Sequence, residues 1–107
     1  MSINAPQKGV KHDQGKPDLS ILSYSALAEI AKAFEFGAKK YGRYNYLGGM
    51  EWTRIGSALL RHAYKWLWGQ DNDEESGLHH LAHVGACVVM LLDYVTMDLG
   101  TDNRYKK

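Results

Sequence analysis

Three histidines stand close together in the chain: His79, His80 and His83. On a helix His79 and His83 are an i,i+4 pair and His80 and His83 an i,i+3 pair, and both spacings set two imidazoles on one side. Cys87 follows four residues later on the same broad face. Imidazole and thiolate are ligands for transition metals, so a metal site is one reading. Imidazoles satisfied within a core are the other. The spacing is not a zinc signature and not the HExxH helix. The one His-Asp dipeptide, His12-Asp13, lies far away in the N-terminal segment. Upstream of the histidines, Asp71, Asp73, Glu74 and Glu75 offer the hard oxygen donors that Mg²⁺ prefers. An EF-hand is excluded, because Ser76 and Ala82 stand where that loop needs Gly and a bidentate Glu. The plain alternative is that these acids favour the dipole of the helix that follows.

Three more stretches carry groups suited to an anionic or aromatic ligand. Lys11, Lys16 and Gly15 form a basic loop in which Gly lets backbone donors approach phosphate oxygens. It lacks the GxxxxGK[ST] pattern, and a solvated tail is its alternative. Arg54, Arg61 and Lys65 fall in a narrow helical arc, with His62 beside Arg61. Arg61 offers a planar fork that matches phosphate. Tyr41, Arg43, Tyr44, Asn45 and Tyr46 make an aromatic loop. Tyrosine faces can stack on a base, and Asn45 can meet a base edge. The same residues would equally suit a self-packed loop or a subunit interface. Phe36, beside Lys39 and Lys40, falls opposite the apolar stripe of its helix and reads as a possible subunit contact.

These groups need a scaffold, and the periodicity supplies helices. Residues 1–19 read as an irregular basic segment, interrupted by Gly9, Gly15 and Pro17. A first helix starts after Ser23 or Ser25 and runs to about Tyr41. Its core face is Leu27, Ile30, Ala31, Phe34, Ala38 and Tyr41, and Gly42 ends it. A second runs from Glu51 or Trp52 to Trp68, with Trp52, Ile55, Leu59, Ala63 and Trp66 on one face. A third runs from near Ser76 to about Leu99 and is apolar nearly all round from Val84 to Leu92, which predicts the central element. No strand pattern is present. The prediction is a single all-α domain over 1–107, with a helical core at 20–99 and a frayed polar tail at 100–107. A bundle of three main helices with one apolar all round is expected to be completed by a partner, here as a homo-oligomer.

Composition bounds the function. The chain has 107 residues, 45% hydrophobic and 23% charged, and thirteen Lys and Arg against twelve Asp and Glu leave a net charge of +1. That balance excludes a duplex-coating nucleic-acid protein, whose affinity comes from excess positive charge. The single Cys87 makes no internal disulfide and suits a reducing compartment. The N-terminal stretch has no apolar signal region, and the longest apolar run, Val84–Leu92, is too short to span a bilayer. A cytoplasmic protein with no membrane partner is expected.

Four strings in order, KHDQGKP (11–17), FEFGAKKYGRYN (34–45), LLRHAYKW (59–66) and DEESGLHHLAHVGAC (73–87), resemble a phage and prophage family. It is the N-terminal domain of dATP/dGTP diphosphohydrolases, and the resemblance covers about Lys11 to Tyr94. Some members precede a MazG-like pyrophosphohydrolase domain, for which this chain has no room. The resemblance implies a protein that handles purine deoxynucleotides. The polar positions it carries over are Lys11, Asp13, Gly15 and Lys16, then Lys39, Tyr41 and Asn45, then Arg61 and His62, then Asp73, Glu75, His80 and His83. His79 stands where relatives often have another residue, and Tyr46 where they commonly have Trp. All-α pyrophosphohydrolases hold Mg²⁺ with an ExxE pair and an ExxD pair. Here Glu35 is followed at that spacing by Ala38, and the later helix offers His80 and His83.

The leading expectation is a nucleotide pyrophosphohydrolase-like protein using Mg²⁺ or Mn²⁺, which would orient the phosphates and lower the pKa of a water. Glu35, Asp73 and Glu75 are its candidate metal ligands. His80 or His83, with Glu75, would carry acid–base chemistry. Arg61, Lys16, Lys39 and Lys11 would neutralise phosphate, while Tyr41, Tyr44 and Asn45 hold the base and His62 adjoins them. The alternatives are a non-catalytic sponge that sequesters a linear or cyclic nucleotide signal, and an accessory module of a separate pyrophosphohydrolase.

Overall fold

Ser23 accepts a hydrogen bond from the Ala26 amide and so caps the first helix, α1, Tyr24–Tyr41. Gly42, at φ 92°, ends it and donates its amide to Ala38. A short 3₁₀ turn at Asn45–Gly48 leads to α2, Trp52–Leu67, and α3 is His80–Met97. The computed structural model describes residues 8–106. Among them there is no strand, only isolated bridges between Glu51 and Thr101 and between Asn72 and His79. The expected architecture of three main helices is present. The first seven residues of the irregular segment and the last residue of the tail lie outside the described residues.

α3 is the centre. Ala82 and Ala86 pack with Ala33 of α1, and Cys87 and Tyr94 pack with Ile55 of α2. Among the described residues, five of the seven that are buried, His80 among them, belong to α3. At Gly85 α1 packs close against α3: a Cβ there would sit 2.7 Å from the Ile30 side chain. Length and composition would also suit α3 to crossing a membrane. The packing of both other helices on it, and the histidines at its start, are those of a bundle's central helix.

Several expectations are corrected. α3 does not start near Ser76. The acidic connector folds into a turn of its own, with Gly77 at φ 73° donating to the Asp73 carbonyl at 2.8 Å and Ser76 donating to the Asp73 carboxylate. The helix starts only after His79, whose side chain caps it by accepting from the Leu81 amide. It stops at Met97, where Asp98 turns left-handed at φ 56°. The tail is not frayed. Thr101 exchanges backbone bonds with Met50 and Trp52, and Asn103 accepts from the Thr53 amide at 3.1 Å. It caps α2, where the Glu51 side chain caps no amide and instead accepts from the Asn103 side chain at 2.6 Å. The α1 stripe is divided: Ile30 and Phe34 join Ala33 in the core, while Leu27, Ala31 and Tyr41 stay exposed. Residues 8–23, before α1, are all exposed, an arm with a 3₁₀ turn at Leu19–Ile21.

Candidate functional site

α1 and α2 both lie on α3 and leave a groove of about 1260 Å³ between them. Its floor is apolar, with Phe34 from α1, Ile55 and Ala58 from α2 and Met90 from α3. Its rim carries Lys39, Arg43, Arg54 and Arg61, all exposed, against a single carboxylate, Glu35. Arg61 is steadied by a bond from its guanidinium to Ser57 Oγ at 3.0 Å. The structure thus gathers Glu35, Lys39, Tyr41, Tyr44, Asn45 and Arg61 along one surface. Arg54 and Arg43, singled out in the stripe and in the aromatic loop, join them there. Thr53 and Ser57 do too, and nothing in the spacing marked those two.

The loop's three tyrosines divide by role. Tyr46 is structural: its hydroxyl donates to Asp93 at 2.7 Å, and its carbonyl accepts from Tyr94 at 2.7 Å. Burial first, then the Asp93 bond, pushes its phenol up to about 12, so it stays protonated. Tyr41 and Tyr44 line the groove and stay exposed, with the Arg43 guanidinium 5.5 Å from the Tyr44 ring. Tyr44 sits at φ 66°, an uncommon region for an aromatic residue. Lys11 and Lys16 lie on the exposed arm and do not line the groove of their own chain.

A second centre forms where the connector meets the start of α3. His80 is fully buried, with its Nδ1 2.9 Å from His62 Nδ1 and its Nε2 2.7 Å from Gln70 Oε1. A carbonyl oxygen only accepts, so His80 Nε2 carries the proton and Nδ1 presents a lone pair. His62 and His83 stack, 4.5 Å between centroids, and His83 Nε2 meets Ser76 Oγ at 2.7 Å and Asp73 Oδ2 at 3.8 Å. Burial holds both of these imidazoles below the ordinary value, and the neighbouring rings add to the effect. For Asp73, burial works upward, but the two Ser76 donors and His83 outweigh it and the carboxyl ends low.

Helix geometry separates the two centres. Glu35 and Arg61 line the groove, while their chain neighbours Phe36 and His62 face the cluster, Phe36 edge-on to His83 at 6.1 Å. Phe36 is therefore half-buried and not a free contact. His62, expected beside the nucleotide, belongs to the cluster instead. His80 and His83 face the same cluster and do not line the groove. His79 is a helix cap, and Cys87 is a core residue whose thiol burial pushes up. Gln70 and Ser76 are partners that no spacing marks, because only the folded connector brings them in.

Glu35, Asp73 and Glu75 are not brought together as one ligand set. Glu35 is in the groove, Asp73 is with the histidines, and Glu75 is ion-paired to Lys40 of α1. Mg²⁺ takes one or two carboxylates plus phosphate oxygens. Within the groove Glu35 alone can meet that need, and only alongside a bound phosphate.

The family described as "dATP/dGTP diphosphohydrolase, N-terminal" matches residues 6–104, and the chain belongs to that family. A relative from Salmonella phage PMBT28, named dATP/dGTP diphosphohydrolase, is 36% identical over 83 residues. The match covers 78% of this chain and 28% of the relative, so the chain spans little more than a quarter of that protein's length. No solved structure matches the chain.

Proposed function

We propose that the groove between α1 and α2 binds a purine deoxynucleoside triphosphate and that the chain takes part in its hydrolysis. One observation carries this reading: a groove with four cations, one carboxylate and two exposed tyrosines in a chain of net charge +1. That concentrated positive excess has the sign and extent a polyphosphate needs. Arg61 and Arg54 would take phosphate oxygens through their planar forks, and Lys39 would add a point charge. Tyr41 or Tyr44 would stack on the base, with Asn45 at its edge. The name of the phage relative supports purine deoxynucleotides as the ligand class and phosphoanhydride cleavage as the chemistry. A Mg²⁺ or Mn²⁺ ion, when bound, would neutralise phosphate charge and polarise the scissile phosphorus. Glu35 would hold it or orient the attacking water.

The lone groove carboxylate favours a second reading, in which the nucleotide is sequestered intact. The two separate cleanly. Purified chain is incubated with dATP, dGTP or dCTP and Mg²⁺ or Mn²⁺, and the products are resolved by chromatography. Calorimetry is run in parallel in EDTA. Metal-dependent release of monophosphate and pyrophosphate is the expected result. Tight binding in EDTA with the nucleotide recovered whole would support the sponge. Absence of both would end either reading.

We also propose that the chain works as a homo-oligomer, with a second copy covering the outer face of α2 and α3. Val88, Leu92 and Val95 project from the side of α3 opposite Ala82 and Ala86, and are exposed, as are Leu60, Tyr64 and Leu67 on α2. The chain exposes 8849 Å², against roughly 6,000 Å² for a compact monomer of its mass. Its radius of gyration is 19.0 Å, against about 13 Å for a compact domain of 100 residues. The exposed arm accounts for part of the excess, and the uncovered helix face would lie within the roughly 800 Å² per partner that a stable dimer buries. Lys11 and Lys16, on the exposed arm, would add to a groove in such an assembly.

A further inference from the structure

The groove leaves unused the cluster at the start of α3. His80 is fully buried, and its Nε2–H is held by the Gln70 carbonyl, which aims the Nδ1 lone pair inward. A ring fixed through its second nitrogen by a carbonyl is how a metal-ligating histidine is oriented. His62 Nδ1 faces that lone pair at 2.9 Å, and one ligand atom from each of His62, Asp73 and His80 lies within 4.8 Å of the others. In a tetrahedral site with bonds of about 2.0–2.2 Å the donors stand roughly 3.3–3.6 Å apart. The present spacing brackets that figure, so shifts of about 1 Å or less would close a coordination sphere. His83, stacked on His62 and bonded to Ser76, adjoins the same space.

We infer that His62, His80 and Asp73 form a site for a divalent transition-metal ion, with His83 beside the remaining coordination position. Two imidazoles and one carboxylate suit Zn²⁺, Fe²⁺ or Co²⁺, and they do not suit Mg²⁺ or Ca²⁺, which take oxygen donors. On binding, His62 changes tautomer: Nδ1 gives its proton to solvent and Nε2 takes one up, so the ring stays neutral as Nδ1 becomes a ligand. Without the ion, the same groups form a satisfied hydrogen-bond network that needs one particular tautomer of each ring. The site stands independently of nucleotide binding in the groove.

The test uses untagged chain stripped with EDTA, then exposed to Zn²⁺ or Co²⁺ and passed through gel filtration. One Zn²⁺ retained per chain by elemental analysis, a raised Tm, and visible d–d bands with Co²⁺ are expected. His62→Gln and Asp73→Asn probe the site from a helix and from a loop, and each should lose the retained ion while keeping helical circular dichroism. His79→Gln, next to the site but outside it, should keep the ion. No stoichiometric Zn²⁺ and no Co²⁺ bands in the parent chain would overturn the assignment. So would loss of the ion in His79→Gln with retention in His62→Gln.

Discussion

Arg61 and His62 are neighbours in the chain that face different chemistry, and each carries a prediction. Arg61→Ala removes a fork aimed along the groove. A charged hydrogen bond is worth about 1.5–3 kcal/mol, so nucleotide affinity should fall roughly 10- to 150-fold by calorimetry. Lys65→Ala, on the same helix but outside the groove, should change it less than twofold. His62 and His83 make stability depend on pH. Burial lowers both from the ordinary 6.5, so the unfolded chain takes up protons first as the solution is acidified. Their contribution is full above about pH 6.5 and declines below it toward the lowered folded values. Thermal scans should show Tm falling from pH 7 to pH 5, with a shallower fall in His83→Gln. A parent Tm flat across that range would contradict the assignment. The groove residues were legible because Tyr44, Asn45 and Arg61 sit in a loop and a helical arc whose types alone suggest a ligand. Gln70 and Ser76 were not, since their partners lie across a connector whose turn the spacing does not reveal.

Among the helices, the contact between α1 and α3 rests on a missing side chain. A Cβ at Gly85 would meet Ile30 Cγ1 and Cδ1 at 2.7 Å. Gly85→Val should therefore wedge α1 outward and cost about 1–3 kcal/mol in denaturant titrations. Trimming the opposing side chain with Ile30→Ala in the same molecule should recover part of the loss. At the other end of the bundle, Asn103→Ala removes the side-chain acceptor of the Thr53 amide at the start of α2. A lost cap costs about 0.5–2 kcal/mol, read as a lower Tm. Ser23 and Gly42 announced the ends of α1 in the sequence because local capping chemistry is self-contained. The tail's docking was invisible, because Asn103 acts on a helix fifty residues earlier. The start of α3 was misplaced for a related reason. An acidic run followed by Ser76 has the composition of a helix N-terminus, yet Asp73 spends its carboxylate on Ser76 inside a turn.

The whole molecule is small for its surface, and the apolar sides of α2 and α3 that remain uncovered are the reason assembly belongs in the account. Light scattering after gel filtration should give a mass of at least two chains, and Leu92→Asp should shift it to one while the helices persist. A monodisperse single chain at tens of micromolar would remove the assembly and leave the groove unaffected. The apolar run of α3 raised the expectation of a partner; which of its sides stays uncovered within the chain became legible only once α1 was seen on Ala82 and Ala86. The most direct trial of the central claim is calorimetric titration of dGTP and dATP into the purified chain, with and without divalent metal. One nucleotide per groove with micromolar or tighter affinity, weakened by Arg61→Ala, is the predicted result. Heats indistinguishable from dilution for both nucleotides under both conditions would contradict it.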